Sequence, residues 1–541
     1  MTTFPPNASP RTAPLADSLS LPRSAADGRR IALAAALAFL TVPLIARADT
    51  FSDIRYTDLV ARLGNDTPTG LGIKVGQVEA PENSQGAYAP DSANPEFAGV
   101  TFFLMSGSGA PSSWHATEVA KPLFGNTLSI TPDVESVYCW NVNSWAGPSY
   151  LNVNGASAPA TPPAGVRVFN HSWIGSFGSA ATDNNALRRV DFLISRDNLL
   201  FTVGTNNGAG SAAQPLVSYA FNGISVGLAN GNHANATTPA GIDGAGRRKP
   251  DIVAPGQFTS FSTPVVGAAG ALLFDAAQSD PAVAGNPNAN RALTVKAILL
   301  GGTTHRAGWS NGAPTSGASR GITATPLDPL YGTDLLNIDR AHLMLTSGEW
   351  NGSSTPQTSV FVEHAGWDYV PSVASGASVY YSFKVHAAVP EFSVLATWPR
   401  QVATNFSAWT LQNFDLRLWK LQGGSLASIS GEAGVGVFGS GNVESVSTVD
   451  NAEHLYIRDL AAGEYVLELK RQTGTQSAQP VAVAWYMPPT APNADFDGDG
   501  TVGATDLAIL LTQWGTSGSA DLNGDGTVSA ADMAELLAAW G

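Results

Sequence analysis

The sequence predicts an α/β domain built on a parallel sheet flanked by helices, then an antiparallel β-sandwich, then a small helical repeat. Three observations predict this. Between residues 70 and 345, short apolar segments (73–78, 137–142, 166–169, 199–203 and 224–228) alternate with helical runs, as in a sheet covered on both faces. Between residues 351 and 487 the apolar positions alternate singly, as in 379–385, 392–398, 416–421 and 465–469, the pattern of half-buried antiparallel strands. In the tail, Asp495-Phe496-Asp497-Gly498-Asp499-Gly500-Thr501-Val502 returns 26 residues later as Asp521-Leu522-Asn523-Gly524-Asp525-Gly526-Thr527-Val528.

From the N-terminus, Arg29 and Arg30 precede an apolar run at 31–45 and the small-x-small triplet Ala46-Arg47-Ala48, the pattern of a cleavable export signal over residues 1–48. The run is shorter than the roughly 20 residues that span a bilayer, and no other segment reads as a span. The α/β domain then covers 49–350, the sandwich 351–488 and the tail 489–541. The small polar stretch 347–354 and the proline-rich 488–492 read as linkers.

Charged residues are only 13% of the 541, yet the balance is acidic, with a net charge of −15. Removing residues 1–48 takes away five arginines and two aspartates, so −15 becomes −18. Such a surface repels phosphate backbones and anionic lipid, which excludes nucleic acid and membrane surfaces as expected partners. Cys139 is the only cysteine, so no intramolecular disulfide can form.

Four stretches carry chemistry. Thr259-Ser260-Phe261-Ser262-Thr263-Pro264 precedes an apolar helix at 265–274, where free N–H groups favour negative charge beside a serine. Ser260 is also readable as a plain helix-entry residue beside a capping Thr263. Ser113-Trp114-His115-Ala116-Thr117-Glu118-Val119-Ala120 places an imidazole at a helix start, and an imidazole takes and returns protons near neutral pH. Gly70-Leu71-Gly72-Ile73-Lys74-Val75-Gly76-Gln77-Val78-Glu79 ends a strand on a carboxylate, and Leu200-Phe201-Thr202-Val203-Gly204-Thr205-Asn206-Asn207-Gly208 ends one on asparagine.

In this order and spacing the four stretches resemble the subtilisin-like serine proteases, the subtilases, over most of residues 70–345, including Tyr331-Gly332-Thr333-Asp334-Leu335-Leu336-Asn337. The resemblance implies Ser260 as nucleophile, His115 as general base, Glu79 as the carboxylate that orients the imidazole, and Asn206 as an oxyanion donor, with no catalytic cofactor. It also implies that the segment after Val168-Phe169-Asn170-His171, through Ser172, Trp173 and Gly175, pairs with a polypeptide substrate as an added strand. Two departures stand out. Glu79 occupies the family's aspartate position, one methylene longer. Phe258 replaces a glycine, and only Gln257 and Phe258 separate Gly256 from Thr259, where relatives carry a longer segment. Phe258 is therefore expected to shape or block the primary specificity pocket.

Each tail loop offers oxygens at the spacing that surrounds a hard cation: Asp495, Asp497, Asp499, Thr501 and Asp506, then Asp521, Asn523, Asp525, Thr527 and Asp532. Helices at 507–514 and 533–540 follow, and Pro492 leaves little room for one before the first loop. This resembles a type I dockerin, which implies two calcium sites and a cohesin-like scaffold partner; the alternative is a calcium-stapled cap packed on its own chain. The sandwich resembles the jelly-roll domains found after secreted peptidases. The sequence thus reads as a secreted or cell-surface serine endopeptidase. The competing class is a subtilase-fold scaffold that has lost turnover, and a carbohydrate-acting enzyme lacks a placed acid pair.

Overall fold

The computed structural model describes residues 46–210, 217–489, 494–497, 501–523 and 526–540. The export-signal segment lies outside them except for its last three residues, which open helix α1 (Ala46–Asp53).

Seven parallel strands form the first sheet: β1 (Lys74–Glu79), β2 (Thr101–Leu104), β3 (Ser136–Asn141), β4 (Val166–His171), β5 (Leu200–Gly204), β6 (Ile224–Leu228) and β7 (Ile252–Ala254). Their order is β2-β3-β1-β4-β5-β6-β7. The chain runs outward to β2 on one side of β1 and away through β4 on the other, so the strand order reverses between β1 and β4. In open α/β sheets such a reversal marks the carboxyl-end position where sites form.

Helices cover both faces, as the two-sided apolar strands require. After α1 come α2 (Tyr56–Leu63), α3 (Trp114–Phe124), α4 (Val142–Ala146), α5 (Ala180–Asp197), α6 (Thr259–Ser279), α7 (Ala292–Gly301) and α8 (Ile338–Thr346). α6 is the one helix among the described residues long and apolar enough to cross a membrane, but it is the buried core helix. A Cβ added to its Gly267 would sit 2.9 Å from Leu123 Cδ1 of α3. The missing side chain therefore lets α6 and α3 approach closely, which brings their N-termini together.

The sandwich forms as expected from two largely antiparallel sheets. One contains Ser378–Val385, Phe414–Gln422 and Gly463–Arg471; the other Ala365–Val370, Val389–Thr397, Ala452–Leu460 and Val481–Tyr486. The first domain adds a parallel edge strand, Ile322–Thr323, beside Glu444–Ser445. The second sheet packs its outer face on α7 and α8, so Ala365, Trp367, Leu395, Ala482 and Ala484 share the apolar core of the α/β domain.

The stretch 347–354 is not the free linker that its composition suggests. Trp350 N–H donates to the Trp367 carbonyl, Ser353 and Tyr380 exchange both backbone bonds, and the Glu349 carboxylate accepts from Asn286, Asn288 and the Tyr369 N–H. Small polar residues serve here as hydrogen-bonding groups. Residues 490–492 of the second junction lie outside the described residues. The tail has its own small core of Ala494, Leu510, Ala520, Leu522, Val528 and Leu536, with helices α9 (Ala504–Thr512) and α10 (Ala530–Ala538).

Candidate active site

Glu79 and His115 meet beyond the carboxyl end of β1, and Phe261, the neighbour of Ser260 in the chain, flanks the His115 ring. Glu79 ends β1 with its side chain buried, and its Oε2 lies 2.9 Å from Nδ1 of His115. His115 stands in the first turn of α3, capped by Ser113, whose hydroxyl accepts the Ala116 N–H. Its side chain is 27% exposed, so part of the ring reaches solvent. Burial pushes the imidazole pKa down, but the Glu79 charge and hydrogen bond, aided by Glu82, outweigh it and raise it above the ordinary value. Glu82 also accepts the His115 backbone N–H at 3.3 Å.

Ser260 occupies the first turn of α6. The helix starts at Thr259, not at the Thr263-Pro264 pair, because its cap comes from outside: Asn207 Oδ1 accepts the Thr259 N–H at 2.8 Å and the Thr259 hydroxyl at 2.9 Å. Thr263 bonds back instead, its hydroxyl donating to the Thr259 carbonyl. Of the other opening N–H groups, those of Phe261 and Ser262 reach the Phe258 carbonyl. Among the described residues this leaves the Ser260 N–H as the donor of the first turn without an acceptor in the chain. Pro264 supplies no N–H to the Ser260 carbonyl four residues back, and Ser172 Oγ fills that gap at 2.9 Å. The Ser260 hydroxyl points to the Ser172 carbonyl at 3.5 Å, the outer limit of a hydrogen bond, and not to His115.

Asn206 follows β5, half-exposed beside this helix start. Its Oδ1 accepts the Asn207 N–H, which engages the acceptor end of the amide; the NH₂ is the end that an oxyanion role requires. Gly204 keeps β5 close to α6, since a Cβ there would meet Thr263 Oγ1 at 2.9 Å.

Ser172, Trp173 and Gly175 follow β4, where sheet pairing stops at His171 opposite Val203. All three are buried, and Trp173 turns its indole inward to donate to His171 Nδ1. Between them, Ile174 is half-buried. Phe258, half-buried, packs edge-on against Phe261 at 6.0 Å, and Phe261 in turn flanks the His115 ring at 6.1 Å. With the exposed Trp114, 6.5 Å from Phe261, these rings form an aromatic cluster beside His115.

Three contributing residues escaped the sequence reading. Asn207 caps the Ser260 helix, Glu82 adds charge to His115, and Gln77, fully buried in β1, donates to Glu79 Oε1 at 3.1 Å. Gln77 alone had a visible signal, as a polar residue inside an apolar strand.

In the tail, Asp495, Asp497 and Asp506 offer carboxylate oxygens within 4.8 Å of one another. Backbone N–H groups of Gly503, Phe496 and Asp497 hold the Asp506 carboxyl below the usual range. Asp532 repeats the arrangement with the Asn523, Ser529 and Leu522 N–H groups, which overcome its burial. Asp521 Oδ2 accepts the Gly526 N–H, while Oδ1 is buried without a partner, an orphaned oxygen that a hard cation would satisfy. Thr501, Asn523 and Thr527 lie in the same loops; Asp499 and Asp525 lie outside the described residues.

Residues 493–539 match the Dockerin type I domain family. No curated protein matches the chain. Among solved structures, the chain is similar to the serine protease of Aeromonas sobria in complex with its chaperone, at 12% identity and a TM-score of 0.35, over 78% of this chain and 89% of that one. The same protease alone gives 13%, 0.34, 77% and 88%. A cold adapted subtilisin-like serine proteinase gives 17% and 0.29, over 50% of this chain and 89% of that one.

Proposed function

We propose that the chain is a secreted serine endopeptidase with a Ser-His-Glu triad. The observation that carries this reading is the 2.9 Å bond between buried Glu79 and His115, set beside a helix whose first turn presents Ser260 with its N–H free. Glu79 accepts the hydrogen bond of Nδ1–H, which fixes the ring proton there and leaves Nε2 as the base that takes the Ser260 hydroxyl proton. Ser260 Oγ then attacks the scissile carbonyl. The carbonyl oxygen, now negative, is held by the Ser260 N–H and the Asn206 amide, and His115 returns its proton to the leaving amine. Substrate backbone adds beside 172–175. The serine hydroxyl must turn from the Ser172 carbonyl to His115 for this, a tightening expected on substrate binding.

The test is labelling of the mature chain and of Ser260→Ala with a fluorophosphonate probe, alongside cleavage of an unstructured protein. Labelling and cleavage present in the first and absent in the second are expected. A folded chain that does neither supports the alternative scaffold reading, which the Ser260 hydroxyl, turned to the Ser172 carbonyl and not to His115, favours.

For the tail, the support is the matched dockerin family, the clustered carboxylates of the first loop and the unpartnered Asp521 Oδ1 of the second. Calcium would be held by Asp495, Asp497, Asp499, Thr501 and Asp506 and by Asp521, Asn523, Asp525, Thr527 and Asp532, and the module would dock on a cohesin-like scaffold. Because ligand binding adds to folding free energy, chelation should lower the melting midpoint of the tail transition. An unchanged transition would remove the calcium reading.

A further inference from the structure

Strand β1 carries one polar side chain that its apolar pattern does not explain. Gln77 is fully buried, and its amide nitrogen donates to Glu79 Oε1 at 3.1 Å and to the Ala116 carbonyl at 2.9 Å. Both partners are acceptors only, so the orientation of the amide is fixed, with the NH₂ towards them. Its own Oε1 is left buried without a donor. Strand interiors rarely carry such an oxygen unless the polar end has work elsewhere. Here that end ties together three pieces: β1, the inner oxygen of the Glu79 carboxylate, and the first turn of α3, which bears His115. Glu79 has one more rotatable bond than an aspartate, so its carboxylate needs a second anchor if one oxygen is to stay aimed at Nδ1.

Resting on the serine-protease reading, we propose that Gln77 is a positioning residue: it holds Glu79 Oε1 so that Oε2 stays in line with His115, and so makes a glutamate serviceable at this position. An apolar residue there would leave Oε1 buried without a donor and the carboxylate free to rotate away.

The experiment uses the full mature chain with Gln77→Met, of equal length but without a donor, in the wild-type and Glu79→Asp backgrounds. A fluorogenic peptide reports kcat and KM. In the wild-type background kcat should fall roughly 10- to 100-fold with KM nearly unchanged, the scale of an ångström misplacement. In Glu79→Asp, whose carboxylate no longer reaches Gln77, the same change should cost less than about threefold. Equal losses in both backgrounds, or no loss, overturn the proposal. The downfield proton resonance of His115 Nδ1–H gives a second readout that needs no turnover. It should be present in wild type and in Ser260→Ala, and weakened or shifted in Gln77→Met; an unchanged resonance also overturns the proposal. Gln77→Leu repeats the series if the Met variant fails to fold. A wild-type chain with the resonance intact but neither labelling nor cleavage would sink the protease reading, and the catalytic role of Gln77 with it, while the NMR arm would still report on the carboxylate contact.

Discussion

Replacing Glu79 with glutamine changes one oxygen to NH₂ and almost nothing in size, yet the geometry predicts a large loss. Gln77 presents NH₂ to position 79, so the new side chain must turn its carbonyl oxygen that way. Its NH₂ then faces Nδ1 of His115, 2.9 Å from the atom it replaces. A donor facing Nδ1 forces that nitrogen to accept, which moves the ring proton to Nε2. His115 would then point a proton, not a lone pair, towards Ser260. A wrong tautomer of this kind costs about 10⁴ in kcat, equivalent to ~5.5 kcal/mol of barrier at 1.36 kcal/mol per tenfold.

The pH dependence has a defined sign. Glu79 raises the His115 pKa against the effect of burial, so its neutralisation moves the acid limb of kcat/KM to lower pH. Stability shifts too. A histidine raised in the folded state contributes stability below its unfolded pKa of about 6.5, and loses it as pH rises through the folded value. Glu79→Gln should therefore be destabilised more at pH 6 than at pH 9. Peptide hydrolysis across pH, with denaturant unfolding at both ends, measures all three effects. Activity within tenfold of wild type with an unmoved acid limb would refute the tautomer argument.

Asn206→Ala should lower kcat by about 10²- to 10³-fold and slow fluorophosphonate labelling without abolishing it; an unchanged rate removes Asn206 from the oxyanion site. Trp367, fully buried between the sandwich and α8 with its indole N–H on the Leu345 carbonyl, should cost about 3–5 kcal/mol as alanine, read from the denaturant midpoint. Burial depresses His171 and His454 to about 3 and His342 to about 4. These histidines stabilise the fold above their unfolded pKa of about 6.5, and the contribution drains away as pH falls towards the folded values. Unfolding titrations should show losses of about 2 kcal/mol for each of His171 and His454 at pH 5, and a pH-independent midpoint between 7 and 5 would contradict this.

Five of the seven strands of the first sheet are legible because burial on both faces leaves largely apolar runs, whereas β2 is mostly exposed and β7 spans three residues; the single-residue alternation of the sandwich is legible for the opposite reason. The pairing of Glu79 with His115 could be anticipated from the order of their motifs. Asn207 could not, because it sits beside Asn206 in the same turn and only the packing of β5 on α6 decides which amide caps Thr259. The start of α6 precedes its local signal for the same reason: its cap lies more than 50 residues away, and Thr263-Pro264 marks a hydroxyl bonded back into the helix. The edge strand Ile322–Thr323 is too short to show any period. Residues 347–354 have the composition of a linker because composition does not record which partners the polar groups find.

The shared core bears on how the Ser260 helix is held. α6 packs against α7 and α8, and those helices pack in turn against the second sheet of the sandwich. The contact is also polar: Arg400 of the sandwich, fully buried, donates to Asp191 at 2.6 Å and to Asp243 at 2.8 Å, and Asn222 exchanges bonds with the Arg400 backbone. Cutting the chain at 350 would strip the far face of α7 and take from Asp191 its guanidinium partner. With Cys139 as the only cysteine, no disulfide is available to offset that loss. The sandwich is therefore part of the fold that holds the Ser260 helix, because its second sheet is the apolar wall on the far side of α7.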